Sequence, residues 1–165
     1  ARLGRNNNKK ARRTSGRGAP PSPDEVRAAK ALAASEDGGI PLLVDMLRRG
    51  GPDAETGALA LSKLSTSAEN NTAIREAGAL PPLAALLSSG TAVAKEHAAE
   101  ALGSLAANSD NQVAIAKAGA IPPLVELLTT GSAEQKENAA AALWSLAANS
   151  DNQVAIAKAG AIPPL

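Results

Sequence analysis

Residues 104–124 read SLAANSDNQVAIAKAGAIPPL, and residues 145–165 read the same, letter for letter, at an offset of 41 residues. Nothing else in the chain limits its fold as much. Self-similarity at a fixed period of ~20–50 residues marks an array of stacked units, each able to bury its apolar face only against its neighbours. A diverged copy, ENNTAIREAGALPPL at 69–83, lies one period upstream, again at an offset of 41. A fainter one, GGIPLLVDMLRRG at 38–50, aligns with 78–90 at an offset of 40, so one residue is missing just after Gly50. The 165 residues therefore amount to about three and a half units.

Each unit parses into three helices, with no strand-like alternation, so the fold class is all-α. In the best copy Asp110 opens a short first helix that ends at Gly119, where glycine supplies the left-handed residue that terminates a helix. Pro122 and Pro123 fall in the first turn of a second helix, where a missing N–H is harmless. That helix carries Ile121, Leu124, Val125, Leu127 and Leu128 and stops at Gly131. Ser132 caps the third helix, with Gln135 completing a capping box, and Ala139, Ala142, Leu143, Leu146 and Ala147 form its apolar stripe up to about Ala148. The single Trp and the absence of Phe and Tyr leave the core to Leu, Ile, Val and Ala, which suits closely approaching helices. Residues 24–165 are read as the array: a cap helix over about 24–35, about three repeats, and a truncated last repeat. Residues 1–23 are read as a disordered tail, too poor in large apolar side chains to offset the entropy of ordering.

The net charge of +1 hides an asymmetry. The tail has seven basic residues and no acid; the remainder has 10 basic and 16 acidic residues, a basic tail on an acidic body. Lys9, Lys10, Arg12 and Arg13 make a candidate nuclear-localisation signal, with a solvated basic tail and a cleaved organelle-targeting segment as the alternatives. The absence of cysteine removes disulfides, thiolate metal sites and cysteine nucleophiles, and His97, the one histidine, has no second imidazole to share a metal. No metal or cofactor is expected. His97, Glu100 and Ser104 share one exposed helix face, which makes no enclosed pocket for catalysis, so the chain is read as a non-enzyme. An acidic body without aromatic platforms excludes specific nucleic-acid binding, and no apolar run is long enough for a membrane span.

A short helix, then Gly-Ala-Ile/Leu-Pro-Pro-Leu, then two helices, at a period near 41, resembles the armadillo repeat over residues 38–165. The likeness is greatest to plant and algal armadillo arrays, including those attached to plant U-box ubiquitin ligases. The resemblance implies a right-handed α-solenoid of helix triplets whose third helices line a concave groove, and a groove that holds a segment of a partner protein. It also identifies what is missing. Importin-α-like relatives carry ladders of Trp and Asn on their third helices. Here the Trp positions are Leu59, Glu100 and Ala141, and the Asn positions are Lys63, Ser104 and Ser145.

On this reading the groove face runs through Thr56, Leu59 and Lys63, then His97, Glu100 and Ser104, then Asn138, Ala141 and Ser145. Trp144 sits beside it, as a partner-binding anchor or as packing between repeats; Lys63, Lys95 and Lys136, with Glu96, Glu100 and Glu137, are read as solvated faces. The function is read as a protein-protein interaction scaffold, monomeric, in the cytoplasm or nucleus, with a protein or peptide ligand. The alternatives are the substrate-recruiting part of a ubiquitin ligase, and an importin-like transport adaptor whose basic tail folds back on the acidic body.

Overall fold

The computed structural model describes residues 39–161. The basic tail with Lys9, Lys10, Arg12 and Arg13, the expected cap helix and the start of the last second helix lie outside the described residues. Within them the chain is helical throughout: α1 (Gly39–Arg49), α2 (Gly51–Leu64), α3 (Ala68–Glu76), α4 (Leu80–Ser89), α5 (Ala92–Leu105), α6 (Ser109–Lys117), α7 (Ile121–Thr130), α8 (Ala133–Leu146) and α9 (Ser150–Lys158). Helices α3–α5 and α6–α8 are complete triplets. Helices α1 and α2 are the second and third helices of the unit before, and α9 is the first helix of the unit after.

The first helix begins one residue earlier than the sequence suggests. Asn108 is the cap of α6, its Oδ1 accepting from the N–H groups of Asp110 (2.9 Å) and Asn111 (3.3 Å), so Asp110 stands in the first turn, where a carboxylate suits the helix dipole. Its end is a Schellman turn: Gly119 at φ 82° lets the N–H of Ala120 reach back to the carbonyl of Ile115. The chain then enters α7 at 82° to α6, with both prolines at the start of the new helix. The Ser132–Gln135 capping box of α8 is present in full, and α8 ends at Leu146, slightly before the expected limit.

The missing residue after Gly50 has a structural identity. In later units a Gly ends the second helix and the next residue, Thr91 or Ser132, caps the third through its hydroxyl. In the first unit that capping residue is the one absent. Gly50 and Gly51 take positive φ (76° and 59°) to join α1 directly to α2, which starts without any side-chain cap.

The third helices α2, α5 and α8 pack side by side in one layer, and each also packs on the second helix of its own unit. Alanines make the close approach possible: Ala98, Ala99, Ala101 and Ala142 are fully buried. At Gly103 a Cβ would lie 3.3 Å from the Cα of Ala142, so the α5–α8 seam is set at backbone contact. Leucines from the second and third helices, Leu43, Leu61, Leu83, Leu87, Leu102, Leu105, Leu124 and Leu146, fill the space behind this layer with Ile74 and Ile115 of the first helices. Each buried methylene contributes ~0.8 kcal/mol, so the small residues add stability mainly by letting the leucines close up.

Polar links cross the seams at both ends of the third helices. At the C-terminal ends, the amides of Asn70, Asn111 and Asn152 donate to the carbonyls of Leu64, Leu105 and Leu146, each at 3.1 Å. The next residue repeats the bond one carbonyl further on: Gln112 to Ala106 (2.9 Å), Gln153 to Ala147 (2.8 Å), and Asn71 to Ser65 (2.9 Å) with its amide oriented to suit its neighbours. These carbonyls belong to the last turn of a helix, where no intrahelical donor remains. Asn111 and Asn152 further donate to Asn71 and Gln112 in the preceding first helix (3.5 and 3.1 Å). At the N-terminal ends, the Thr91 hydroxyl donates to the buried carboxylate of Glu55, and Gln135 donates to the carbonyl of Ala92 at 2.7 Å.

Candidate functional site

The exposed side of the third-helix layer holds the residues singled out from the sequence. Lys63, His97, Glu100 and Asn138 are brought together in one open cleft of about 300 Å³ spanning α2, α5 and α8, and Glu96, Glu134 and Glu137 complete its walls. The other expected groove residues do not line it. Thr56 turns its hydroxyl back to the Pro52 carbonyl (3.1 Å). Leu59, Ser104 and Ser145 are half-buried on the same helices, and Ala141 is exposed.

The cleft is predominantly acidic, with four carboxylates against one lysine and one histidine. Lys63 Nζ donates to Glu100 Oε1 at 2.8 Å, across the seam between α2 and α5, and His97 Nδ1 lies 3.4 Å from the other carboxylate oxygen. Burial of Glu100 favours its neutral form. The hydrogen bond and charge of Lys63, with lesser help from Ser62 and His97, outweigh that and hold the carboxyl below its ordinary range. Lys63 and Glu100 thus form a partly exposed pair across the seam between two repeats. Glu134 accepts from the Ser132 hydroxyl at 3.1 Å, leaving its charge at the helix start and facing the cleft. Glu134 is absent from the sequence-derived set, and Glu96 and Glu137 appear there only as surface charges. A signal existed: Glu96 and Glu137 occupy the same register, one residue before His97 and Asn138. Among the described residues no group of three His, Asp or Glu side chains could hold a metal ion.

Trp144 is 81% exposed, on a flank of α8. Its counterpart one unit earlier is Gly103, which meets Ala142 of the following third helix. Among the described residues no third helix follows α8, so the flank that Trp144 occupies has no such neighbour. Val154 of α9 is also exposed, at 53%.

The first helices carry further open clefts. One of about 380 Å³ is lined by Arg75, Asp110, Val113, Ala114 and Lys117 between α3 and α6, and offers mixed charge and no convergent set of donors.

The three-helix unit, the glycine-terminated first helix and the third-helix layer agree with a family comparison. The armadillo/beta-catenin-like repeat matches residues 67–107 and again residues 108–148. Residues 67–148 are armadillo repeats. Among solved structures, the array is similar to a computationally designed armadillo repeat protein for modular peptide recognition, at 30% identity and a TM-score of 0.73, over 84% of this chain and 63% of that one. An engineered protein is similar at 31% identity and a TM-score of 0.75, over 84% of this chain and 60% of that one. A designed armadillo repeat protein in complex with the peptide (KR)4 is similar at 26% identity and a TM-score of 0.72, over 85% of this chain and 66% of that one. This chain thus spans about three-fifths of the length of these relatives. A comparison with curated proteins finds no match. The armadillo array is an α-solenoid, and its third-helix face is the surface that the fold presents without covering it by its own second or first helices.

Proposed function

We propose that this armadillo array is a non-enzymatic scaffold whose third-helix face holds an extended, lysine- or arginine-bearing segment of a partner protein. The observation that carries this reading is the cleft between α5 and α8, where Glu96, Glu100, Glu134 and Glu137 converge. The solved armadillo structure in complex with (KR)4 supports the same class of ligand. Around the cleft the short side chains of Ala141 and Ser145 leave room for a partner backbone to approach. Glu134 and Glu137 are exposed and Glu96 and Glu100 half-buried, so each contributes a fraction of a kcal/mol, and recognition is salt-sensitive, with charges at separations beyond ~8–10 Å screened at physiological ionic strength. Cargo capture by a transport adaptor and substrate recruitment for a ligase domain carried elsewhere are two finer forms of this reading. The basic ligand class supports the first.

The test is fluorescence anisotropy with a labelled (KR)4 octapeptide and an acidic octapeptide as control. The wild-type chain is expected to bind (KR)4 in preference at low salt. Combined Glu96→Gln, Glu134→Gln and Glu137→Gln should weaken it about tenfold, three partly or fully exposed charges at ~0.5 kcal/mol each. Equal affinity for the two peptides, or for the triple variant and the wild type, would sink the proposal.

A further inference from the structure

The acidic cleft already contains a cation of its own. Lys63 belongs to α2, yet its ammonium is delivered across the seam to Glu100 on α5 at 2.8 Å. With His97 Nδ1 beside the second oxygen, both oxygens of Glu100 are engaged. Glu96, Glu134 and Glu137 have no cationic partner within salt-bridge distance among the described residues.

The repeat register shows that stacking does not require this pair. The positions of Lys63 in the next two third helices are Ser104 and Ser145, and those of Glu100 in the flanking ones are Leu59 and Ala141. The α5–α8 seam therefore places Ser104 and Ala141 where the α2–α5 seam has its ion pair, and it closes to backbone contact at Gly103 without one. Nor is the pair buried enough to anchor the fold: the side chains of Lys63 and Glu100 are 48% and 30% exposed. An ion pair with that exposure is easily exchanged for another of the same kind.

We infer that Lys63 is an internal competitor and specificity-determining residue, which seats its own ammonium on Glu100 and so sets the threshold that a basic partner segment must exceed. This rests on the reading of the cleft as a site for basic segments. An incoming lysine or arginine meets one carboxylate that is already neutralised, and a fixed positive charge at the α2 edge of the path. It must either displace Lys63 from Glu100 or use only Glu96, Glu134 and Glu137. A segment with a single basic residue is thereby directed to the α5–α8 side, and a run of several is needed to reach Glu100.

The test measures (KR)4 binding by anisotropy at low salt for the full chain, with circular dichroism of each variant to confirm the helical fold. Lys63→Ala is expected to tighten binding about two- to fivefold, the range of an exposed ion pair. Lys63→Arg, which keeps the charge and a donor, should stay near wild type. Glu100→Gln alone should weaken binding by a similar factor, because it leaves the Lys63 ammonium unneutralised beside the path. Added to Lys63→Ala, it should remove most of the gain. A gain in Lys63→Ala that survives Glu100→Gln would overturn the inference, since Lys63 would then act only as a general charge. So would unchanged or weaker binding by Lys63→Ala in a wild-type background that does bind (KR)4, and in that case the proposed function stands. Failure of every variant to bind (KR)4 removes both.

Discussion

Asn111 is the residue whose loss should injure this fold most for its size. It is fully buried, and its amide bridges two elements, donating to Leu105 at the end of α5 (3.1 Å) and to Asn71 in α3 (3.5 Å). The first bond contributes ~1 kcal/mol, the second, at the edge of hydrogen-bonding distance, about half that. Removing the carboxamide leaves a void of ~40 Å³, which adds ~1 kcal/mol if the site does not collapse. Two features lower the total. The Leu105 carbonyl keeps the N–H of Asn108 (3.2 Å), and Asn111 Oδ1 has no partner to lose. Asn111→Ala should therefore cost about 2 kcal/mol in urea unfolding followed by circular dichroism, with hydrogen exchange locating the loss at the α5–α6 junction. Asn111→Asp is the sharper probe. It is nearly isosteric, but at neutral pH it places a carboxylate against two carbonyl oxygens in a buried site, a cost of ~3–5 kcal/mol. The folded protein would hold that carboxyl above the unfolded value of ~3.9. The penalty is then full above the folded pKa and disappears as pH falls below the unfolded one, where the protonated acid can donate. A loss below about 0.5 kcal/mol in Asn111→Ala, or an Asn111→Asp variant as stable as wild type at pH 7, would refute the argument.

Inserting Ser between Gly50 and Gly51 restores the cap that the first unit lacks, and thermal unfolding should show a gain of ~1 kcal/mol. Gly103→Leu should cost ~1–3 kcal/mol by overpacking against Ala142, whereas Trp144→Ala should cost under ~0.5 kcal/mol; the lone tryptophan should also show solvent-exposed fluorescence open to collisional quenchers. Because the Glu100 carboxyl is held low, its contribution is present above the unfolded value of ~4.3 and is lost as pH falls through the folded one. With both partners partly exposed it stays below ~1 kcal/mol, and acid titration of Lys63→Ala should lack that component.

The helices were legible because their stop and start signals are local. Gly119, Pro122–Pro123 and the Ser132–Gln135 box act within a turn or two of chain, and each appears as the sequence suggests. The paired amides were visible as letters but not as chemistry. The consecutive Asn111 and Gln112 look like ordinary polar residues of an exposed helix, and only stacking turns them toward carbonyls of the unit before. The cleft was half legible for the same reason. Register placed Lys63, His97, Glu100 and Asn138 on one face, but the arrival of Glu134 from the start of α8, and of Lys63 on the carboxylate of another repeat, depends on how far apart the third helices stand. Alanine and Gly103 fix that distance. Trp144 stands exposed because, among the described residues, no third helix follows α8, whereas its counterpart Gly103 lies in a seam that has one.

The amide pairs also decide where the module should be cut. A segment beginning at a first helix, such as 67–107, leaves the carbonyls that end α5 without their donors, and carries on α3 two amides whose carbonyls stayed behind. A segment of equal length running from 79 to 119 keeps α4, α5 and the α6 that closes α5, and its two ends fall at Schellman turns. Swapping or transplanting repeats in that second phase moves each C-terminal closure together with the helix it closes. Chimeras joined at Gly78 and Gly119 should fold where chimeras joined at Ser67 and Asn108 must rely on the acceptor to supply the same two amides.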